Sequence, residues 1–295
     1  MRVVVAGSSG LVGSALVDAL NSAGHEVTRL VRRPARAPDE RTWDPPAGRV
    51  DGDVLSGADA VVNLCGAPIA GRRWSHARKQ VLLNSRVEPT EVLAASVAEH
   101  GVPVLVNASA VGYYGDGGDR VLDESAEAGL GFLAGLCTDW EDATRRATEA
   151  GTRVVRLRTG HVLSGRGGLL GLLRPLFWLA LGGRLGDGRQ YMPWITLADH
   201  VAAIRFALTE DGLAGPVNSC SPHPVTNLEF TRALGRALGR PAPWFVPGPA
   251  LRLAIGEDGG EILYSQRTVP KALTDNGFVF GNPRLEDGLR AALRG

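Results

Sequence analysis

Through the first half of the chain, short β-branched runs alternate with longer stretches whose apolar residues recur at helical spacing. That alternation predicts βαβ units feeding a parallel sheet. Strands are predicted at residues 2–6, 26–31, 60–64, 102–108 and 153–157, and helices at 11–23, 75–99 and 131–150. Right-handed crossovers between parallel strands bring their carboxyl ends to one edge, where open α/β sheets bind ligands. Beyond residue 164 the pattern loosens into glycine- and proline-rich turns at 165–168, 182–183, 186–188 and 222–224, with helices predicted at 197–209, 227–239 and 285–293. The expected architecture is α/β. A Rossmann-type doubly wound parallel sheet takes mainly residues 1–164, and a smaller C-terminal α/β lobe in 165–295 closes over the sheet edge and returns some segments to the first domain. The apolar stretch 169–181 is broken by Arg174-Pro175 and is too short for a bilayer, which needs about 20 apolar residues. It reads as a buried or pocket-covering helix.

Composition narrows the partners. The 295 residues are 44% apolar and 21% charged, ordinary values for a globular protein. With 32 basic residues against 31 acidic ones, the net charge of +1 provides no global field toward nucleic acid or anionic membranes, so any anion site has to be local. Neither nucleic acid nor membrane is expected as a partner. Cys65, Cys137 and Cys220 are widely separated and odd in number, which predicts neither a disulfide framework nor a metal cluster and fits a reducing, cytoplasmic compartment. No export signal is expected, and the chain could be a monomer or a homodimer.

The segment Gly7-Ser8-Ser9-Gly10-Leu11-Val12-Gly13 follows the first strand and opens the first helix. Glycine permits a tight turn and close approach of backbone to a pyrophosphate, while the helix start offers free N–H groups and partial positive charge. The context is that of a dinucleotide site. The second strand ends in Leu30-Val31-Arg32-Arg33, with no acidic residue between Val27 and Pro38 to take a ribose 2′-hydroxyl. Guanidinium groups there suit the 2′-phosphate of NADP(H) instead.

These glycines, Asn63-Leu64-Cys65-Gly66, residues 107–115 and residues 193–199 together resemble the extended short-chain dehydrogenase/reductases. Within them the chain looks most like the atypical branch grouped with nucleoside-diphosphate-sugar epimerases. Arg73-Trp74, Asn84-Ser85-Arg86, residues 137–141 and 158–163, Gly167-Gly168 and the stretch 222–280 carry the same likeness, which covers essentially the whole chain. The resemblance implies that Arg32, Arg33, Leu64, Cys65, Gly66, Arg86 and His161 line the cofactor, with Ala108 and Ser109 beneath the nicotinamide. It also exposes a departure. Where the better-known enzymes carry Tyr-x-x-x-Lys on a helix, this chain reads Cys137-Thr138-Asp139-Trp140-Glu141, and the usual hydroxyl position is Ala110.

Candidates for the missing proton-transfer groups are Ser109, Tyr113, Cys137 and Glu141. Spacing by four places Cys137 and Glu141 on one helical face, although a neighbouring glutamate disfavours a thiolate. His161 suits a cofactor contact better than acid/base work. Trp178, Tyr191, Trp194 and Trp244 could wall a substrate pocket or pack in a core, Asp199 reads as a helix anchor, and Arg184 and Arg189 are candidate clamps for an anionic substrate. The expected function is an NADP(H)-dependent oxidoreductase or epimerase-like enzyme acting on an unidentified small carbonyl or sugar-like molecule. The alternative is a catalytically altered NADP(H)-sensing or interaction protein.

Overall fold

The computed structural model describes residues 1–50, 52–70, 72–250 and 257–294. The 251–256 portion of the C-terminal stretch of resemblance lies outside the described residues. The first half runs β1 (Arg2–Ala6), α1 (Leu11–Ser22), β2 (Glu26–Val31), β3 (Glu40–Asp44), β4 (Arg49–Val50), β5 (Ala60–Asn63), α2 (His76–His100), β6 (Val104–Ala110), β7 (Val121–Leu122), α3 (Phe132–Asp142), α4 (Arg145–Glu149) and β8 (Arg153–Thr159). The second half continues with β9 (His161–Ser164), α5 (Gly168–Trp178), β10 (Gly183–Leu185), β11 (Tyr191–Met192), β12 (Trp194–Thr196), α6 (Leu197–Thr209), β13 (Gly215–Ser219), β14 (Val225–Thr226), α7 (Asn227–Leu238), β15 (Trp244–Val246), β16 (Arg267–Thr268), α8 (Lys271–Asp275) and α9 (Leu285–Arg294).

The main sheet has the order β13-β8-β6-β5-β1-β2-β3-β4, and every pairing in it is parallel except β3 with β4. Alternate residues of its strands serve two cores. Val3, Val5, Val62, Val106 and Val155 pack with α1 and α6, and Val4, Val61, Leu105 and Val154 pack with α2 and α4. Burial on both faces is why these strands read as continuous apolar runs. A third core joins Leu163 and Trp194 to α5, α7 and α9 in the C-terminal part.

The structure departs from the expectation in several places. β3, β4 and β13 extend the sheet beyond the five expected strands; β13 is its edge and starts with Gly215-Pro216, and an edge strand tolerates a proline because one side of it needs no ladder bond. The helix expected over 131–150 divides into α3 and α4, because Thr144 takes the Glu141 carbonyl with both its N–H at 3.1 Å and its hydroxyl at 2.6 Å. Helix α5 is buried on one side only: Leu170 and Phe177 are enclosed while Leu172, Leu176 and Trp178 stand exposed.

Candidate functional site

The sheet register sets the site. Leu30, Ala6, Asn63, Asn107 and Arg156 lie in one row across β2, β1, β5, β6 and β8. Whatever follows that row projects from the carboxyl edge: Arg32, the Gly7 loop, Leu64 to Gly66, Ala108 to Ala110, and His161. Beneath it, Asn63 donates to Asn107 Oδ1 at 2.7 Å and to Thr90 Oγ1 at 2.9 Å, Trp140 donates to the same hydroxyl at 3.1 Å, and Cys65 N–H is held by Asn63 at 3.1 Å. This buried net pins α2 and α3 to the strand ends.

Each glycine of the first loop has its own reason. Gly7 has φ +79°, and a Cβ there would lie 2.7 Å from the Leu64 carbonyl. A Cβ on Gly13 would come within 2.2 Å of Gly7 O, so α1 can start this close to β1 only with glycine at that turn. Gly10 stands at the N-cap with no side chain capping the helix, which leaves the α1 start to a ligand. The loop cradle that Gly7, Ser9, Gly10, Leu11, Val12 and Gly13 form therefore has the geometry an anion needs. Gly168, at the start of α5, passes over it, since a Cβ there would meet the Leu11 side chain at 3.3 Å.

The two arginines after β2 separate in role. Arg33 forms a two-pronged pair with Glu40 at 2.7 and 2.8 Å, and this pair holds the buried Glu40 carboxyl down at about 2. Arg32 is exposed and makes no ion pair among the described residues. The expectation that both guanidiniums meet one phosphate is thereby corrected: Arg33 is committed to β3, and Glu40, two residues past Pro38, is neutralised. Arg86, on α2, is buried against Gly66, donates to the Leu82 and Ala67 carbonyls at 3.0 Å each, and lies 5.1 Å over Trp140. Burial lowers its pKa to about 10, and its Nε has no hydrogen-bond partner among the described residues. His161 is exposed at the cleft, though protein around the ring lowers its pKa; its N–H bonds Pro193 O at 2.8 Å. Cys65 is a partly buried thiol whose pKa burial raises to about 12.

At the carboxyl end of β6, alternation along the strand places Ala108 and Ala110 toward one side and Ser109 toward the other. Ser109 Oγ donates to Glu141 at 2.7 Å, and Arg158 from β8 grips both oxygens of that carboxylate at 2.8 and 2.9 Å, with the pair only 4% and 6% exposed. Arg158 also donates to Tyr114 OH at 3.1 Å, which in turn donates to Asn218 at 2.7 Å, and its guanidinium lies 3.4 Å from the Tyr113 ring centre. Ser109 and Glu141 are thus spent on each other and on Arg158, which corrects their reading as reacting groups. Cys137 is 2% exposed, and burial and then Glu141 raise its pKa to about 12, so it is a packed thiol rather than a nucleophile. Tyr113 is different. It packs beside Ala110 in the Cys137 and Trp140 cluster, and its hydroxyl has no hydrogen-bond partner among the described residues.

The remaining candidates lie away from this edge or serve the scaffold. Trp194 is core at 1% exposure, and Trp178 and Trp244 are each 57% exposed. Thr196 caps α6 by accepting from Asp199 N–H at 3.0 Å and donates to the Asp199 carboxylate at 2.9 Å, which also accepts from Gly281 and Asn282 N–H at 2.7 and 3.0 Å. Arg184 stacks on Phe245 at 5.6 Å, Arg189 is exposed, and Tyr191 carries Arg267 at 5.0 Å. Arg158 and Glu40 were not found from the sequence, because each acts through a partner on another strand or helix.

Among known proteins, the profile described as "NAD dependent epimerase/dehydratase family" matches residues 3–218, and a domain of unknown function matches residues 246–292. An epimerase family protein of Mycobacterium tuberculosis is 55% identical over 288 residues, 97% of this chain and 96% of that one. The crystal structure of human epimerase family protein SDR39U1 with NADPH superposes with a TM-score of 0.91 at 33% identity, covering 100% of both chains. A nucleoside-diphosphate sugar epimerase from Corynebacterium glutamicum superposes at 0.82 and 39% identity, over 99% of this chain and 58% of that one. By sequence and by fold, this chain belongs to the NAD-dependent epimerase/dehydratase family.

Proposed function

We propose that the chain binds NADP(H) along the carboxyl edge and is an atypical extended short-chain oxidoreductase, cytoplasmic, acting on a small carbonyl or sugar-like substrate. The observation that carries this reading is the charge arrangement after β2: Arg32 is exposed and makes no ion pair among the described residues, while the nearby Glu40 is neutralised by Arg33. A doubly charged 2′-phosphate therefore meets a free guanidinium and no free carboxylate. Its human relative was crystallised with NADPH. In this reading the Gly7 to Gly13 loop holds the pyrophosphate, Leu64, Cys65, Gly66 and Arg86 flank the ribose and linker, and Ala108 and His161 border the nicotinamide. When bound, the cofactor supplies or accepts hydride. Tyr113 supplies the proton at its hydroxyl, because Cys137, Ser109 and Glu141 are closed off. The part after residue 165, less α6 and β13, holds the substrate.

Calorimetry with NADPH and NADH tests the cofactor choice. NADPH binds more tightly, and Arg32→Ala lowers its affinity by roughly one to two decades while leaving NADH unchanged. Arg33→Ala has the smaller effect. Equal wild-type affinity for the two cofactors removes the assignment. Oxidation of NADPH across a carbonyl panel, lost in Tyr113→Phe with cofactor affinity intact, tests the proton donor.

The locked Ser109–Glu141–Arg158 group favours one other reading, a cofactor-sensing or interaction protein. It requires a partner whose affinity differs between the apo and NADPH-bound forms, and an unchanged affinity excludes it.

A further inference from the structure

Helix α5 is apolar on two opposite sides. Leu170 and Phe177 face the core at 0% and 3% exposure, whereas Leu172, Leu176 and Leu179, one turn apart, are 54%, 46% and 70% exposed. The surface continues past the helix. Trp244 donates its indole N–H to Ala180 O at 2.8 Å, β15 pairs with β10, and Trp244 and Phe245 stand 57% and 58% exposed. An apolar patch of this extent marks a docking face.

Its charge is one-sided. Arg174 lies 5.3 Å over Trp178 and Arg184 5.6 Å over Phe245. Between residues 160 and 198 four arginines, at 166, 174, 184 and 189, face a single acid, Asp187. Just before Trp244 in the chain, a depression of about 410 Å³ is lined by Arg232, Arg236 and Arg240, of which Arg236 reaches Glu286 at 3.3 Å. The whole chain carries only +1, so this basic excess is local. A second copy docked face to face would set arginines against arginines; an anionic surface would neutralise them.

We propose that this face docks on an anionic lipid surface. The α5 leucines, Trp178, Trp244 and Phe245 enter the interfacial layer, and the arginine depression meets lipid phosphates. The helix lies on the membrane and does not cross it; no helix of the described residues is long and apolar enough to do so. The proposal stands apart from the cofactor reading.

The test is co-sedimentation of the full chain with phosphatidylcholine vesicles, with and without phosphatidylglycerol, at about 0.05 M and about 0.5 M salt. Binding is expected only with phosphatidylglycerol, weakened by salt, with tryptophan emission quenched by brominated lipid. A Leu176→Ser, Trp244→Ser variant and an Arg232→Gln, Arg240→Gln variant should each lose roughly tenfold or more in vesicle affinity, while their thermal unfolding matches the wild type. Absence of binding to phosphatidylglycerol vesicles overturns the proposal. So does unchanged binding of the leucine and tryptophan variant, which would reduce the effect to bulk charge. A wild-type dimer in sedimentation that the same variant dissociates would assign the face to a second copy instead.

Discussion

Glu141 places a carboxylate on the inner side of α3, and the cation that answers it arrives from β8 as Arg158. Each is nearly closed to solvent, and the pair is satisfied by Ser109 and Tyr114. Removing one member leaves a buried charge alone, so Glu141→Leu or Arg158→Leu should each cost about 3–5 kcal/mol, and the double change to leucines far less than their sum. Urea unfolding of the four proteins measures this, and additive losses would show that the charges are not coupled. At this scale the sequence displayed Glu141 and Cys137 on one helical face but could not display Arg158, which is 17 residues away on another element. Spacing rules report neighbours within a helix and say nothing of which strand will lie beneath it.

Single buried polar contacts, added to the apolar packing of helices on the sheet, have element-scale consequences. His200 on α6 is 3% exposed, sits 2.8 Å from the Ser219 hydroxyl at the end of β13, and is held by burial at about 4, below its ordinary 6.5. The unfolded chain therefore takes up this proton first. Its contribution is complete above about pH 6.5, falls as pH drops toward 4 and is flat below, a loss of about 3 kcal/mol in all. Unfolding midpoints across that window should show this slope, and His200→Gln should flatten it; an identical slope in the variant would place the titration elsewhere. Helix α3 starts on Glu261, whose carboxylate accepts from Phe132 and Leu133 N–H at 2.7 and 2.9 Å. Glu261→Gln should cost about 1–2 kcal/mol, checked by denaturant unfolding, because it removes both an acceptor and the negative charge that suits a helix start. The α7 start, Thr226 with Glu229, is a capping box readable directly from its spacing, since both partners lie within one turn. Glu261 was not readable, because it reaches α3 from more than a hundred residues away.

Taken whole, the C-terminal part is stitched to the sheet domain rather than hinged on one linker. β13 completes the sheet, β16 pairs with β7, Ser265 donates to Gly118 O at 2.6 Å, and Asn218 donates to Val269 O at 3.0 Å. A single thermal transition is expected, and NADPH at about a hundred times its dissociation constant should raise it as a unit by roughly 5 °C or more, reflecting about 2.7 kcal/mol of linkage. Two transitions, only one of them moved by NADPH, would show that the parts melt separately. The sequence by itself determined the five central parallel strands, the helices between them in outline and the glycine loop, because both faces of those strands are buried and each signal is complete within a few consecutive residues; β3, β4 and β13 were not legible. Tertiary structure alone decided that Arg33 is spent on Glu40 while Arg32 makes no ion pair among the described residues. It also decided that Ser109 and Glu141 are locked by Arg158, and that α5 keeps an apolar side in solvent. In each case the deciding partner lies on a different element, and which of two chemically equivalent side chains is taken depends on the register that brings that partner close.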